Sequence, residues 1–191
     1  RAGARDERHS TAPLEPNTIP ESVLIKECEL SVEASPEAAR EAAELWSTLS
    51  GAEFIRAMHD MRLAGVNNVA DYIGQIITDA EPGRVEISWT PAEKLCNLGG
   101  TVHGGYIAMI LDNAVCLAAS STCDRFVPML TLNLNVDYLR AVRAGERYTV
   151  TGTCVHPGST RMVSNAVLAD AQGRPVAQAS ASVVGDKAYT R

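Results

Sequence analysis

The sequence predicts an α+β fold, and three observations carry that expectation. Residues 102–119, which open on "VHGG", are apolar nearly all round, the pattern of a buried helix rather than a surface one. The following "LTLNLNVDYL" has apolar residues at 130, 132, 134, 136 and 138 with polar ones between, which reads as a strand with one wetter face. Three more strand-like runs then follow without an intervening helix. Helix and antiparallel sheet thus segregate along the chain.

Taken in order, residues 1–34 read as an N-terminal arm, extended or partly disordered. Pro13, Pro16 and Pro20 stand there among charged and small residues without apolar period, and "VLIKECELSV" suits a short strand or a docking segment equally. A helical extension occupies residues 35–65. Ser35 is a suitable N-cap, Pro36 suits the first helical position, and Ala39, Ala42, Ala43 and Trp46 share a face. Ser50 and Glu53 have capping-box spacing for a second helix that runs to Leu63 and ends at Gly65. The main domain spans residues 66–187. "DYIGQIITDAEPGRVEISWTP" predicts two strands around the turn "EPGR", with Val85, Ile87 and Trp89 alternating outward and inward. The buried helix and the 130–138 strand come next. "GERYTVTGTCV", "RMVSNAVLAD" and "PVAQASASVV" supply the last strands, joined by turns containing "HPGS" and "DAQGRP". No internal repeat or second domain is visible.

Bulk properties narrow the function. A chain of 191 residues supports one sizeable domain plus an extra segment. The formal charge is −6, and no Lys/Arg cluster occurs, so neither nucleic acid nor an anionic membrane surface is an expected partner. Small anionic ligands stay open, because a few placed arginines suffice for them. The longest apolar stretch, residues 106–119, is too short to span a bilayer. Five cysteines without a Cys-x-x-Cys pair, and no Asn-x-Ser/Thr sequon, point to a reducing intracellular compartment. Arg1, Arg5 and Arg8 would suit the tail of a transit peptide, whereas Asp6 and Glu7 oppose it. The cytoplasm is the expectation, with the mitochondrion as the alternative.

The chemistry centres on "CNLGGTVHGGYIAMILDN", residues 96–113. Gly104 and Gly105 fall in the first turn of the predicted helix, where backbone N–H groups lack internal partners and the helix dipole adds positive charge. Glycine lets a ligand approach that backbone, and a carbonyl oxygen turning negative would meet donors already oriented. Alternatively, the glycines serve only to pack the helix on the sheet. Asp112 lies in an apolar run, where an unpartnered carboxylate costs several kcal/mol. It lies roughly 12 Å along the helix axis from Gly104, too far to act at its own helix start. In a symmetric dimer with antiparallel central helices, one subunit's Asp112 would face the other's Gly104, as general base or nucleophile. The rival reading is a structural Asp bonded to a neighbouring hydroxyl. His103 suits a cap or hydrogen-bond anchor better than an acid, and Cys96 a small buried hydrophobe. His9, His59, His103 and His156 are isolated, so no metal site is expected. The Gly-x-Ser-x-Gly elbow is absent.

The run N-x-x-G-T-x-H-G-G from Asn97 to Gly105, followed after six residues by Asp112 and Asn113, resembles the signature of hotdog-fold acyl-CoA thioesterases. The type it resembles includes thioesterase superfamily member 2 and the phenylacetate-pathway thioesterases. The resemblance covers residues 50–185 and implies a long central helix wrapped by an antiparallel β-sheet, here with an N-terminal helical extension. It implies a homodimer or homotetramer acting in lipid metabolism on acyl-CoA, with coenzyme A as part of the substrate and no metal or redox cofactor. It further implies that the Gly104 N–H polarises the thioester carbonyl with help from Asn97. Asp112 from the partner subunit would activate water, and Thr131 would orient that water. His103 and Gly105 belong to the substrate-binding turn, and Arg140, Arg143 and Arg161 lie at strand ends and loops where CoA phosphates could be met. Singly, each arginine also reads as solvated surface. Two other readings stand beside hydrolysis: a hotdog enoyl-thioester hydratase or dehydratase, and a non-catalytic acyl-CoA-binding module. The N-terminal extension departs from smaller family members and suits a cover for an acyl tunnel, a contact for a partner or a simply disordered segment.

Overall fold

A computed structural model describes residues 44–61 and 72–186 of the chain. The arm of residues 1–34 with its "VLIKECELSV", the helix start at Ser35 and Pro36 with Ala39, Ala42 and Ala43, and the helix end at Leu63 and Gly65 lie outside the described residues. Residues 44–48 are helical. Helix α1 spans Gly51–Met61, strand β1 Gln75–Glu81 and strand β2 Arg84–Trp89. A short 3-10 turn, Glu93–Leu95, leads to helix α2, Gly104–Ser120. Strands β3 (Met129–Tyr138), β4 (Tyr148–Pro157), β5 (Met162–Ala169) and β6 (Pro175–Gly185) complete the order. No helix among the described residues is long and apolar enough to cross a membrane.

The six strands form one sheet in the order β1-β2-β4-β5-β6-β3, every neighbouring pair antiparallel. Helix α2 touches β2, β3, β4, β5 and β6, so the sheet wraps it. Val85, Ile87 and Trp89 all point inward from β2 rather than alternating outward and inward, because every second side chain of a strand faces the same way. They meet Ile110, Leu111, Ala114 and Val115 of α2 in one aliphatic core. Gly152 on β4 is what lets the layers close: a Cβ there would stand 2.3 Å from the Ala114 carbonyl oxygen.

The capping box forms as the spacing predicts. The Ser50 hydroxyl and N–H donate to Glu53 Oε2 at 2.6 and 2.9 Å, and the Glu53 N–H donates to Ser50 Oγ at 3.3 Å. These bonds hold the Glu53 carboxyl below its ordinary value. Helix α1 is fastened to the far end of α2, where the Gly51 N–H donates to the Cys123 carbonyl at 3.0 Å. Trp46, Phe54 and Phe126 cluster beside it, with ring centroids 4.7–5.3 Å apart.

Two expectations change. The first is a helix buried all round. In the single chain α2 buries the stripe of Ile107, Ile110, Leu111, Ala114, Val115 and Ala118, while Ala108, Met109, Asp112 and Cys116 are only half-buried. The second is the uninterrupted alternation of β3. The pairing with β6 skips Leu132, a β-bulge between Thr131 and Asn133. Met129 and Thr131 before the bulge, and Leu134 and Val136 after it, therefore all face α2. Leu130 and Leu132 are left 51% and 58% exposed, although their spacing assigns them to the face of Leu134 and Val136.

Candidate active site

The site is built on the loop that delivers the chain into α2. The Asn97 side chain organises it: Oδ1 accepts from the Gly99 N–H at 2.8 Å and the Thr101 N–H at 3.4 Å, and Nδ2 donates to Thr101 Oγ1 at 3.2 Å. Gly100, at φ +74°, supplies the left-handed step that closes the turn. The bridge between Cys96 and Val102 and the bond from the His103 N–H to the Leu95 carbonyl, 2.9 Å, fix its base.

His103 is the N-cap of α2. Its backbone is extended, and Nδ1 accepts the Gly105 N–H at 2.9 Å. That bond places the proton of the neutral ring on Nε2 and uses up the Gly105 N–H. The Gly104 N–H meets no acceptor among the described residues and stands at the positive end of the helix dipole. Tyr138, at the end of β3, packs its ring beside Gly104 and donates its hydroxyl to the Gly104 carbonyl at 3.0 Å. A cleft of about 380 Å³ opens here, lined by Thr101, Gly104, Ile107, Tyr138, Arg140 and Val142 among others.

Asp112 lies two turns further along α2. Its Oδ1 accepts the Thr131 hydroxyl at 2.8 Å, and Thr131 Oγ1 also lies 3.3 Å from Cys116 Sγ. Oδ2 accepts no bond among the described residues. Asp112 is only half-buried. Burial above all, and then the nearby Asp112 charge, push the Cys116 thiol up to about 11, against a lowering by the Thr131 hydrogen bond.

The fold thus gathers Asn97, His103, Gly104 and Gly105 at one end of α2 and Asp112 with Thr131 at its middle. One chain does not bring the two groups together. Among the arginines, Arg140 lines the cleft, with its guanidinium donating to the Pro175 carbonyl. Arg143 is exposed next to the cleft residue Val142, and its backbone N–H donates to the Tyr148 hydroxyl at 2.9 Å. Arg161 is exposed at the other end of β4, roughly 30 Å of strand away from Tyr148. Two residues of the site escape the sequence reading. Tyr138 counts there only as an apolar position, and Cys116 only toward the cysteine total; its i+4 spacing from Asp112 was the available signal.

Residues 99–177 match the model of the thioesterase superfamily. The chain is 30% identical over 133 residues to acyl-coenzyme A thioesterase 13 of Homo sapiens, which covers 69% of this chain and 91% of that one. Among solved structures, a thioesterase family protein from Silicibacter pomeroyi superposes with a TM-score of 0.62 at 27% identity, over 71% of this chain and 98% of that one. The Streptococcus mutans UA159 protein smu.793, solved bound to acetyl CoA, superposes with a TM-score of 0.54 at 27% identity, over 58% and 86%. Motif, architecture and likeness agree: the chain belongs to the thioesterase superfamily and is a hotdog-fold thioesterase.

Proposed function

We propose that the protein hydrolyses an acyl-CoA thioester to the free acid and CoA, at a site shared by two subunits. One observation carries the reading. A Gly104 N–H without an acceptor among the described residues opens the helix on which Asp112 sits two turns later, already aligned by Thr131 but out of reach of its own helix start. An antiparallel pairing of two such helices joins each donor to a carboxylate, in a homodimer or a tetramer built from it.

The thioester carbonyl oxygen then accepts the Gly104 N–H, with the Asn97 amide alongside. Water attacks the carbonyl carbon as its proton passes to the partner subunit's Asp112. The tetrahedral oxyanion is held by donors already in place. It collapses with cleavage of the C–S bond, and the departing sulfur takes the proton back to give CoA thiol. Arg140 at the cleft, and Arg143 beside it, suit the CoA phosphates. The reaction uses no metal or redox cofactor. The acetyl CoA bound by smu.793 and the activity in the name of acyl-coenzyme A thioesterase 13 support the substrate class. The cysteines are free thiols among the described residues, in keeping with a reducing intracellular compartment.

The test is thiol release from a panel of straight-chain and aromatic acyl-CoAs. Free thiol supports hydrolysis; a 3-hydroxyacyl product without thiol indicates a hydratase, and no product indicates a binding module. Asp112→Asn should lower kcat by about 10²–10³-fold. Gly104→Pro deletes the N–H at a first helical position that tolerates proline, after a His103 already extended at ψ 134°. It should be similarly inactive. Mixing the two dead variants should restore about a quarter of wild-type turnover, because half the dimers are mixed and each has one intact site. No restoration after demonstrated subunit exchange would refute the shared site.

A further inference from the structure

The side chain behind Thr131 is Cys116, one turn beyond Asp112 on α2. Its Sγ lies 3.3 Å from Thr131 Oγ1, which lies 2.8 Å from Asp112 Oδ1. Counting protons fixes the direction of both bonds. A threonine hydroxyl has one proton to give, and an ionised carboxylate only accepts. The Thr131 proton therefore goes to Asp112, and the thiol donates the 3.3 Å contact. Burial keeps that thiol protonated throughout the neutral range, so the donor is always present.

We propose that Cys116 is a positioning residue for the hydrolytic base. Its S–H occupies a lone pair of Thr131 and holds the Thr131 proton on Asp112 Oδ1, so that Oδ2 is the oxygen that meets water. The two bonds run in one direction, and each polarises the other. Without the thiol proton, the Thr131 hydroxyl is free to turn away, and the carboxylate loses its fixed orientation. This inference rests on the reading of Asp112 as the base. A cysteine that only fills space would make no such demand on its substituent.

Steady-state kinetics of the 191-residue chain, with the acyl-CoA that the wild type hydrolyses fastest, test the inference. Cys116→Ala should lower kcat about three- to tenfold, the worth of one neutral hydrogen bond, with KM unchanged. Cys116→Ser keeps a donor on the same Cβ and should recover most of that loss. If Cys116→Ala melts early, Cys116→Val, close in size and lacking a donor, takes its place. On a Thr131→Val background the alanine change should cost nothing more, since the acceptor is gone. The inference is overturned if Cys116→Ala is unimpaired, if serine is no better than alanine, or if the loss is the same on both backgrounds. Asp112→Asn run in parallel separates the two levels. An inactive Asp112→Asn beside an unimpaired Cys116→Ala sinks this inference alone, while a fully active Asp112→Asn removes the site reading and this inference with it.

Discussion

At Asp112 the two carboxylate oxygens differ in their surroundings: Oδ1 receives the Thr131 hydroxyl at 2.8 Å, and Oδ2 accepts no bond among the described residues. A contrasting case lies in the sheet. Ser164 on β5 is fully buried, and its hydroxyl has no hydrogen-bond partner among the described residues. A buried hydroxyl left unsatisfied costs about 1–3 kcal/mol, so removing it relieves the fold. Ser164→Ala should leave the melting temperature unchanged or raise it by a few degrees, on the order of 2–4 °C per kcal/mol recovered. A calorimetric melt that falls by several degrees would contradict this.

Among the elements, the contact between α2 and β4 has the least room. Gly152→Ala would set a methyl group 2.3 Å from the Ala114 carbonyl oxygen, so helix and strand must part. Overpacking of this severity costs about 3 kcal/mol, and the melting temperature should drop on the order of 10 °C. A melt within two or three degrees of wild type would show that the layers adapt. These elements differ in how far they were legible. Strands β1 and β2, the capping box of Ser50 and Glu53, and the start of α2 follow from local chemistry, namely alternation, side chains that satisfy helix ends, and glycines at a turn. The motif from Asn97 to Asp112 was readable for the same reason, because its residues are close along the chain. The bulge at Leu132 was not, since it arises from pairing with β6, about fifty residues later in the chain. Nor was the role of Cys116, whose neighbour Thr131 belongs to another element. The half-open stripe of α2 was hidden too, because an apolar run reads alike whether it faces the sheet or a second subunit.

For the whole molecule, the proposed shared site would link turnover to assembly. Specific activity should fall when the enzyme is diluted through its dimer dissociation constant, in step with the dimer fraction seen by sedimentation. Constant specific activity across that transition would mean that single chains suffice. The same proposed dimer gives the Leu132 bulge a wider consequence. Thr131 and Tyr138 are seven positions apart, an odd interval, so an unbroken strand would turn one toward the helix and the other away. The extra residue restores the parity, and both side chains reach α2, Thr131 at the carboxylate and Tyr138 at Gly104. In the shared arrangement those ends belong to different reaction centres, so a single ribbon tends both: one irregular residue keeps the twin catalytic pockets in step.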